Sequence, residues 1–167
     1  MARVERERQL IPSVLDRLLD DEPGKRDAPR EPEKHRNQIL RELKLSVKRD
    51  LENLLNTRWR CVSWPPDLDE LDLSLVNYGL PDFTGVQFAS ASAQEELRRI
   101  IEQVVRSFEP RFEKVRVEII KDADELDRTF RFRIDALLHA EPAPEPVVFD
   151  TMLEASTGDF EVKETYR

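Results

Sequence analysis

Ser92-Ala93-Gln94-Glu95-Glu96-Leu97-Arg98-Arg99-Ile100-Ile101-Glu102-Gln103-Val104-Val105-Arg106-Ser107, followed by Phe108-Glu109-Pro110-Arg111-Phe112, is the stretch on which the fold turns. Leu97, Ile100, Ile101, Val104, Val105 and Phe108 recur at three- and four-residue spacing, which predicts an amphipathic helix from Ser92 to Ser107 with one apolar stripe. Ser92 with Glu95 three residues on reads as a capping box at its start. Pro110 lacks an N–H and disfavours the helical conformation at Glu109, so the helix must stop there and the chain leave extended. Glu109 and Arg111 then project to the same side, a carboxylate fork beside a rigid guanidinium fork.

Outward from that junction the pattern changes period. Val115, Val117 and Ile119 alternate with charged residues, and Phe130, Phe132, Ile134, Ala136 and Leu138 do so again after a polar turn at 121–128. Each predicts a strand with one buried face. Glu141-Pro142-Ala143-Pro144-Glu145-Pro146 has the composition of a stiff polyproline connector. Val147 to Glu154 and Asp159 to Lys163 flank Ser156-Thr157-Gly158, the outline of a closing hairpin.

Towards the N-terminus, Lys34 to Asn56 carries Ile39, Leu40, Leu43, Val47, Leu51, Leu54 and Leu55 at helical spacing, a second long helix. Pro12 to Asp20 predicts a short helix, too short to stand without packing on something. Between the two, residues 21–34 have the proline-rich, charged composition of a mobile linker. Ser74 to Gly85 holds two of the chain's four glycines among apolar and aromatic residues, a structured loop with tight points. The predicted architecture is α+β: N-terminal helices, then a mainly antiparallel sheet with one packed helix and a C-terminal hairpin. Residues 1–33 form the helix and linker, and 34–167 a single domain.

Composition narrows the function. The chain has 167 residues, 39% hydrophobic and 37% charged, with a net charge of -8. That disfavours general attraction to nucleic acid or anionic membrane. The charge is uneven: Lys25 to Arg60 holds 11 basic and 6 acidic residues, and Cys61 to Ser90 holds 5 acidic residues without a basic one. Trp59 and Trp64 flank Arg60 and could stack bases, but the acidic run at Asp67, Asp69, Glu70 and Asp72 argues against nucleic acid and for packing. Cys61 is the sole cysteine, which suits a reducing compartment. The N-terminus lacks an apolar secretory segment, and the apolar runs fall far short of the ~20 residues of a membrane span. The expectation is a soluble, cytoplasmic protein.

Catalytic patterns are not found. No phosphate-cradling loop, nucleophile elbow or dinucleotide fingerprint occurs, and His35 and His139 lack companions at metal-ligand spacing. Glycoside hydrolysis needs a protonated carboxyl in an apolar setting opposite a second carboxylate. Glu109 between Phe108 and Phe112 is the first candidate acid for a peptidoglycan-cleaving, lysozyme-like glycosidase, but Arg111 favours its charged form. Two other uses stay open. The pair could grip another chain, or Arg111 could complement the helix C-terminus and clip locally to Glu109.

Several pieces in order resemble one family. They are Pro12-Ser13-Val14-Leu15-Asp16-Arg17-Leu18 with Asp21-Glu22-Pro23; Asp50 to Arg58 with Ser74 to Gly85; Phe108-Glu109-Pro110-Arg111-Phe112; and Pro146-Val147-Val148-Phe149-Asp150-Thr151. The set is similar to the baseplate wedge subunits of bacterial type VI secretion systems (the TssE type), grouped with the lysozyme-like baseplate proteins of contractile phage tails. The resemblance implies a structural, non-enzymatic and cofactor-free component of a contractile machine. Glu109, Pro110 and Arg111 would contact other wedge subunits of the TssF, TssG and TssK type. The C-terminal strands, through Val147, Phe149, Thr151, Phe160 and Val162, would receive strands from sheath proteins of the TssB and TssC type and template sheath assembly. The implied location is the cytoplasm, at the inner face of the inner membrane, without insertion into it and without nucleic acid.

Overall fold

A computed structural model describes residues 18, 36–59, 63–68, 70–71, 74–83, 90–120, 129–140, 143–154 and 157–165. Within them the order is helix α1 (Arg36–Asn56), a single 3-10 turn (Leu75–Asn77), helix α2 (Ala91–Phe108), and strands β1 (Phe112–Ile120), β2 (Thr129–Leu138), β3 (Glu145–Glu154) and β4 (Phe160–Glu164). The strands form an antiparallel sheet in the order β1-β2-β3-β4, so each pairs with its sequence neighbour. The architecture is α+β, as the periodicities predict.

Both helices cover one face of the sheet, α2 over β1 and α1 over β4. Val47, Leu51, Leu54 and Leu55 of α1 and Leu97, Ile101, Val104 and Val105 of α2 meet the inward face, including Val117, Ile134, Phe149, Leu153 and Val162. Alternation decides the rest: the outward positions carry Arg116, Arg133, Asp135, Asp150 and Lys163, with Arg133 bonded across to Asp150 at 2.8 Å. A bulge between Phe112 and Lys114 lets Phe112 turn inward against Phe149.

Two expectations are corrected. The cap of α2 is Ser90, whose hydroxyl accepts from the Ala93 amide at 3.2 Å, while Ser92 bonds to Ser90. Glu95 consequently takes no part in the cap and binds Arg98 and Arg99. Glu145 and Pro146 belong to β3, paired with Leu138 and Leu137, rather than to a connector. Pro146 is tolerated because it lies on the β4 side of β3, past the Val148–Thr165 hydrogen bond, where no described strand requires a donor. The hairpin closes through Gly158 at φ +77°.

Several expected features lie outside the described residues: all but Leu18 of the Pro12 to Asp20 helix, the 21–34 linker, His35, Cys61, the 121–128 turn and Gly85. Gly79 does meet the expectation of a tight point. It has φ +109°, and a Cβ there would collide with the Thr57 carbonyl. That close approach lets Leu80 donate to Thr57 at 2.8 Å and accept from Trp59 at 3.1 Å, which docks the Ser74–Phe83 loop on the end of α1.

Candidate functional site

Pro110 stops α2 as expected. Glu109 is the C-cap, with its amide on Val105 O at 2.9 Å, and its carbonyl accepts from Phe112 at 3.2 Å in a tight turn. His139 at the end of β2 donates its amide to Arg111 O at 2.7 Å, so both sides of the turn are fixed to the scaffold.

The two forks face each other. Arg111 Nε donates to Glu109 Oε1 at 2.7 Å and its Nη2 to Glu109 Oε2 at 2.6 Å, the bidentate geometry for which guanidinium and carboxylate are matched. The Arg111 amide adds a third bond to Oε1 at 3.2 Å. The guanidinium then reaches α1, with Nη2 on Asp50 Oδ2 at 2.7 Å and Nη1 on Ser46 Oγ at 3.2 Å. Arg49 holds the other oxygen of Asp50 at 3.1 Å. Two carboxylates and two guanidinium groups thus balance at the α1–α2–β1 junction. Burial by itself would lower the Arg111 pKa, but the bonds and charges of Glu109 and Asp50 outweigh it and hold the group above its ordinary value. Tyr78, edge-on to Phe108 at 5.4 Å, is shifted the same way, first by burial and then by the negative charges of Asp50 and Glu109.

The Glu109 side chain is 5% exposed and that of Arg111 25%, whereas Pro110 is exposed. A general acid presents its carboxyl to a cleft. Here the Glu109 carboxylate is buried and both of its oxygens accept from Arg111, an arrangement that fixes the geometry of the turn. Among the described residues no cluster of His, Cys, Asp or Glu could hold a metal ion, and no helix is long and apolar enough to cross a membrane.

The second predicted set is also brought together, on the inward face of β3 and β4. Val147, Phe149, Thr151, Phe160 and Val162 all have buried side chains. Their backbones differ. Glu154 donates to Asp159 O and Thr165 to Val148 O, so even-numbered residues of β3 bond towards β4 and odd-numbered ones towards β2. Val147, Phe149 and Thr151 are therefore engaged with β2, and Phe160 and Val162 point their amide and carbonyl away from β3. Phe160 is occupied by Asn56, and Val162, although its amide and carbonyl also point away from β3, is fully buried.

Sequence reasoning missed Ser46 and Asp50 as partners of Arg111. Their signal was local: a polar pair four apart, beside the buried Val47 and Leu51 on the core-facing side of α1.

The sequence profile of the baseplate wedge protein gp25 family matches residues 41–143. The chain belongs to that family. The matched span includes most of α1, the Gly79 loop, α2 with its Glu109-Pro110-Arg111 stop, and β1 and β2. The role carried by membership is that of a structural baseplate component. Among solved structures, a chain of the baseplate complex from the type VI secretion system aligns with 76% of this chain and 97% of its own length, at 18% identity and a TM-score of 0.46. A search of curated proteins finds no match.

Proposed function

We propose that this baseplate wedge protein serves a type VI secretion machine as a TssE-type subunit, joining the wedge to the contractile sheath without catalysing a reaction. The observation that carries the reading is the Glu109–Arg111 pair locked onto Asp50. It makes the turn a rigid knob, with Pro110 and the uncovered quarter of the Arg111 side chain at its tip. A preorganised contact loses little entropy on docking, which suits a fixed joint between subunits. Wedge partners of the TssF, TssG and TssK type meet this tip, and sheath proteins of the TssB and TssC type meet the C-terminal strands by strand addition. The complex assembles in the cytoplasm at the inner face of the inner membrane.

Pull-down of the wedge subunits tests the grip. Because Glu109 and Arg111 also hold the fold, the informative variant is Pro110→Glu, which alters the exposed tip, alongside Glu109→Ala and Arg111→Ala proteins shown to be folded by circular dichroism. Weakened capture by all of them is expected. Undiminished capture by folded variants would remove the turn from the interface.

A further inference from the structure

An antiparallel sheet with four strands has two edges, and a bare edge is a template for any extended chain. The β1 edge of this sheet is not bare. Arg106 Nη2 donates to Val115 O at 3.2 Å, Arg98 Nη1 donates to Val117 O at 3.2 Å, and Glu102 Oε2 accepts from the Val117 amide at 3.2 Å. These are the backbone groups that point away from β2, where a neighbouring strand would bond. The three side chains come from one row of α2 and brace each other: Glu102 binds Arg98 at 2.7 Å and Arg106 at 3.0 Å, and Arg98 is held from behind by Glu95 at 2.9 Å.

The geometry has a simple origin. Four residues of helix rise ~6 Å and two residues of strand ~6.6 Å. A helix laid along a strand can therefore offer one side chain per outward backbone group, at positions 102 and 106 against 117 and 115. Ion pairs at this spacing on a helix surface contribute little to stability, so the row has no need to be aimed at the strand for the helix's own sake.

We propose that Arg98, Glu102 and Arg106 form an edge guard, which closes β1 to strand addition. On β4, Val162 is fully buried, and the outward groups of the half-buried Glu164 face no such row among the described residues. The importance of the guard rests on the proposed acceptance of a strand from another chain by the C-terminal strands: with β1 open as well, the sheet would also pair there with copies of itself.

The guard is tested on the full chain without any partner. In the Arg98→Ala/Glu102→Ala/Arg106→Ala variant alanine preserves helix propensity, and the apolar stripe is untouched. Sedimentation velocity over a concentration series is expected to show a self-associated species that the parent lacks, and the Val117 amide in the monomer is expected to exchange about tenfold faster on loss of its acceptor. If the folded variant sediments like the parent at every concentration, the edge needs no guard and the proposal fails, whatever the exchange rate. Should the triple variant not fold, Glu102→Ala, which removes the acceptor of the Val117 amide, takes its place in the same sedimentation series: self-association supports the guard, and parent-like sedimentation overturns it. Since wedge and sheath proteins are absent from this experiment, its failure is distinct from theirs to bind.

Discussion

Glu109 and Arg111 stand two residues apart across a proline, and their forks meet in hydrogen bonds of 2.7 and 2.6 Å while the same guanidinium reaches Asp50 on another helix at 2.7 Å. The pair is thus a structural joint before it is anything else. Removing Arg111 strands the buried Glu109 carboxylate, at a cost of about 3 kcal/mol, whereas removing Glu109 leaves Arg111 paired with Asp50 and costs less. Glu109→Ala should lower the urea midpoint accordingly, with an unchanged slope. Arg111→Lys should still destabilise, though less than Arg111→Ala, because an ammonium compensates the Glu109 charge but cannot form the fork to Glu109 and reach Asp50 as well.

Gly79 gives a sharper prediction. Its φ of +109° and the proximity of the Thr57 carbonyl leave no room for a side chain. Gly79→Ala should destabilise by at least about 2 kcal/mol through backbone strain alone, with the collision added. For a chain of this size each kcal/mol lowers the melting temperature by roughly 3 °C, which calorimetry resolves easily.

These two sites show which parts of the structure local sequence carries. The stop at Pro110, the two-residue periods of β1 and β2 and the helical stripes of α1 and α2 are decided within a few residues of themselves, and they are legible. The cap is not, because Ser90 and Ser92 offer the same hydroxyl, and only the backbone of the preceding segment selects one. Pro146 reads as a connector because proline forbids a ladder bond; its position on the outward side of β3 is a tertiary fact. The anchor of Arg111 is hidden for the same reason, since Asp50 lies sixty-one residues away. Only a polar pair on the core-facing side of α1 hints that something charged is to be met there.

The outer face of the sheet responds to acid. Asp150 is held below its ordinary value of 3.8, first by the hydrogen bond from Arg133 and, against the opposing effect of burial, by that from Thr165. A carboxylate with a depressed folded-state pKa contributes stability above its unfolded value and loses it as pH falls through the folded one. The pair is substantially exposed, so its worth is within about 0.2–1 kcal/mol. Asp150→Asn should lower the urea midpoint slightly at pH 7. Parent and variant should converge as pH drops below about 4.

Asn56, the last residue of α1, imitates a neighbouring strand. Its side-chain amide donates to Phe160 O at 2.9 Å and its carbonyl accepts from the Phe160 amide at 2.9 Å, the exchange that two paired residues make in an antiparallel ladder. Asn56→Ala removes both bonds at a cost of about 1–2 kcal/mol and should expose the Phe160 amide to exchange. Asn56→Asp should separate the two effects, because a carboxylate still accepts from the Phe160 amide but cannot donate to its carbonyl, so protection persists while stability falls. The alanine variant also frees the outward amide and carbonyl of Phe160. A strand partner that joins β4 should then find a longer edge and bind the folded variant at least as tightly as the parent, whereas a partner that contacts the Asn56 side chain itself would bind it less.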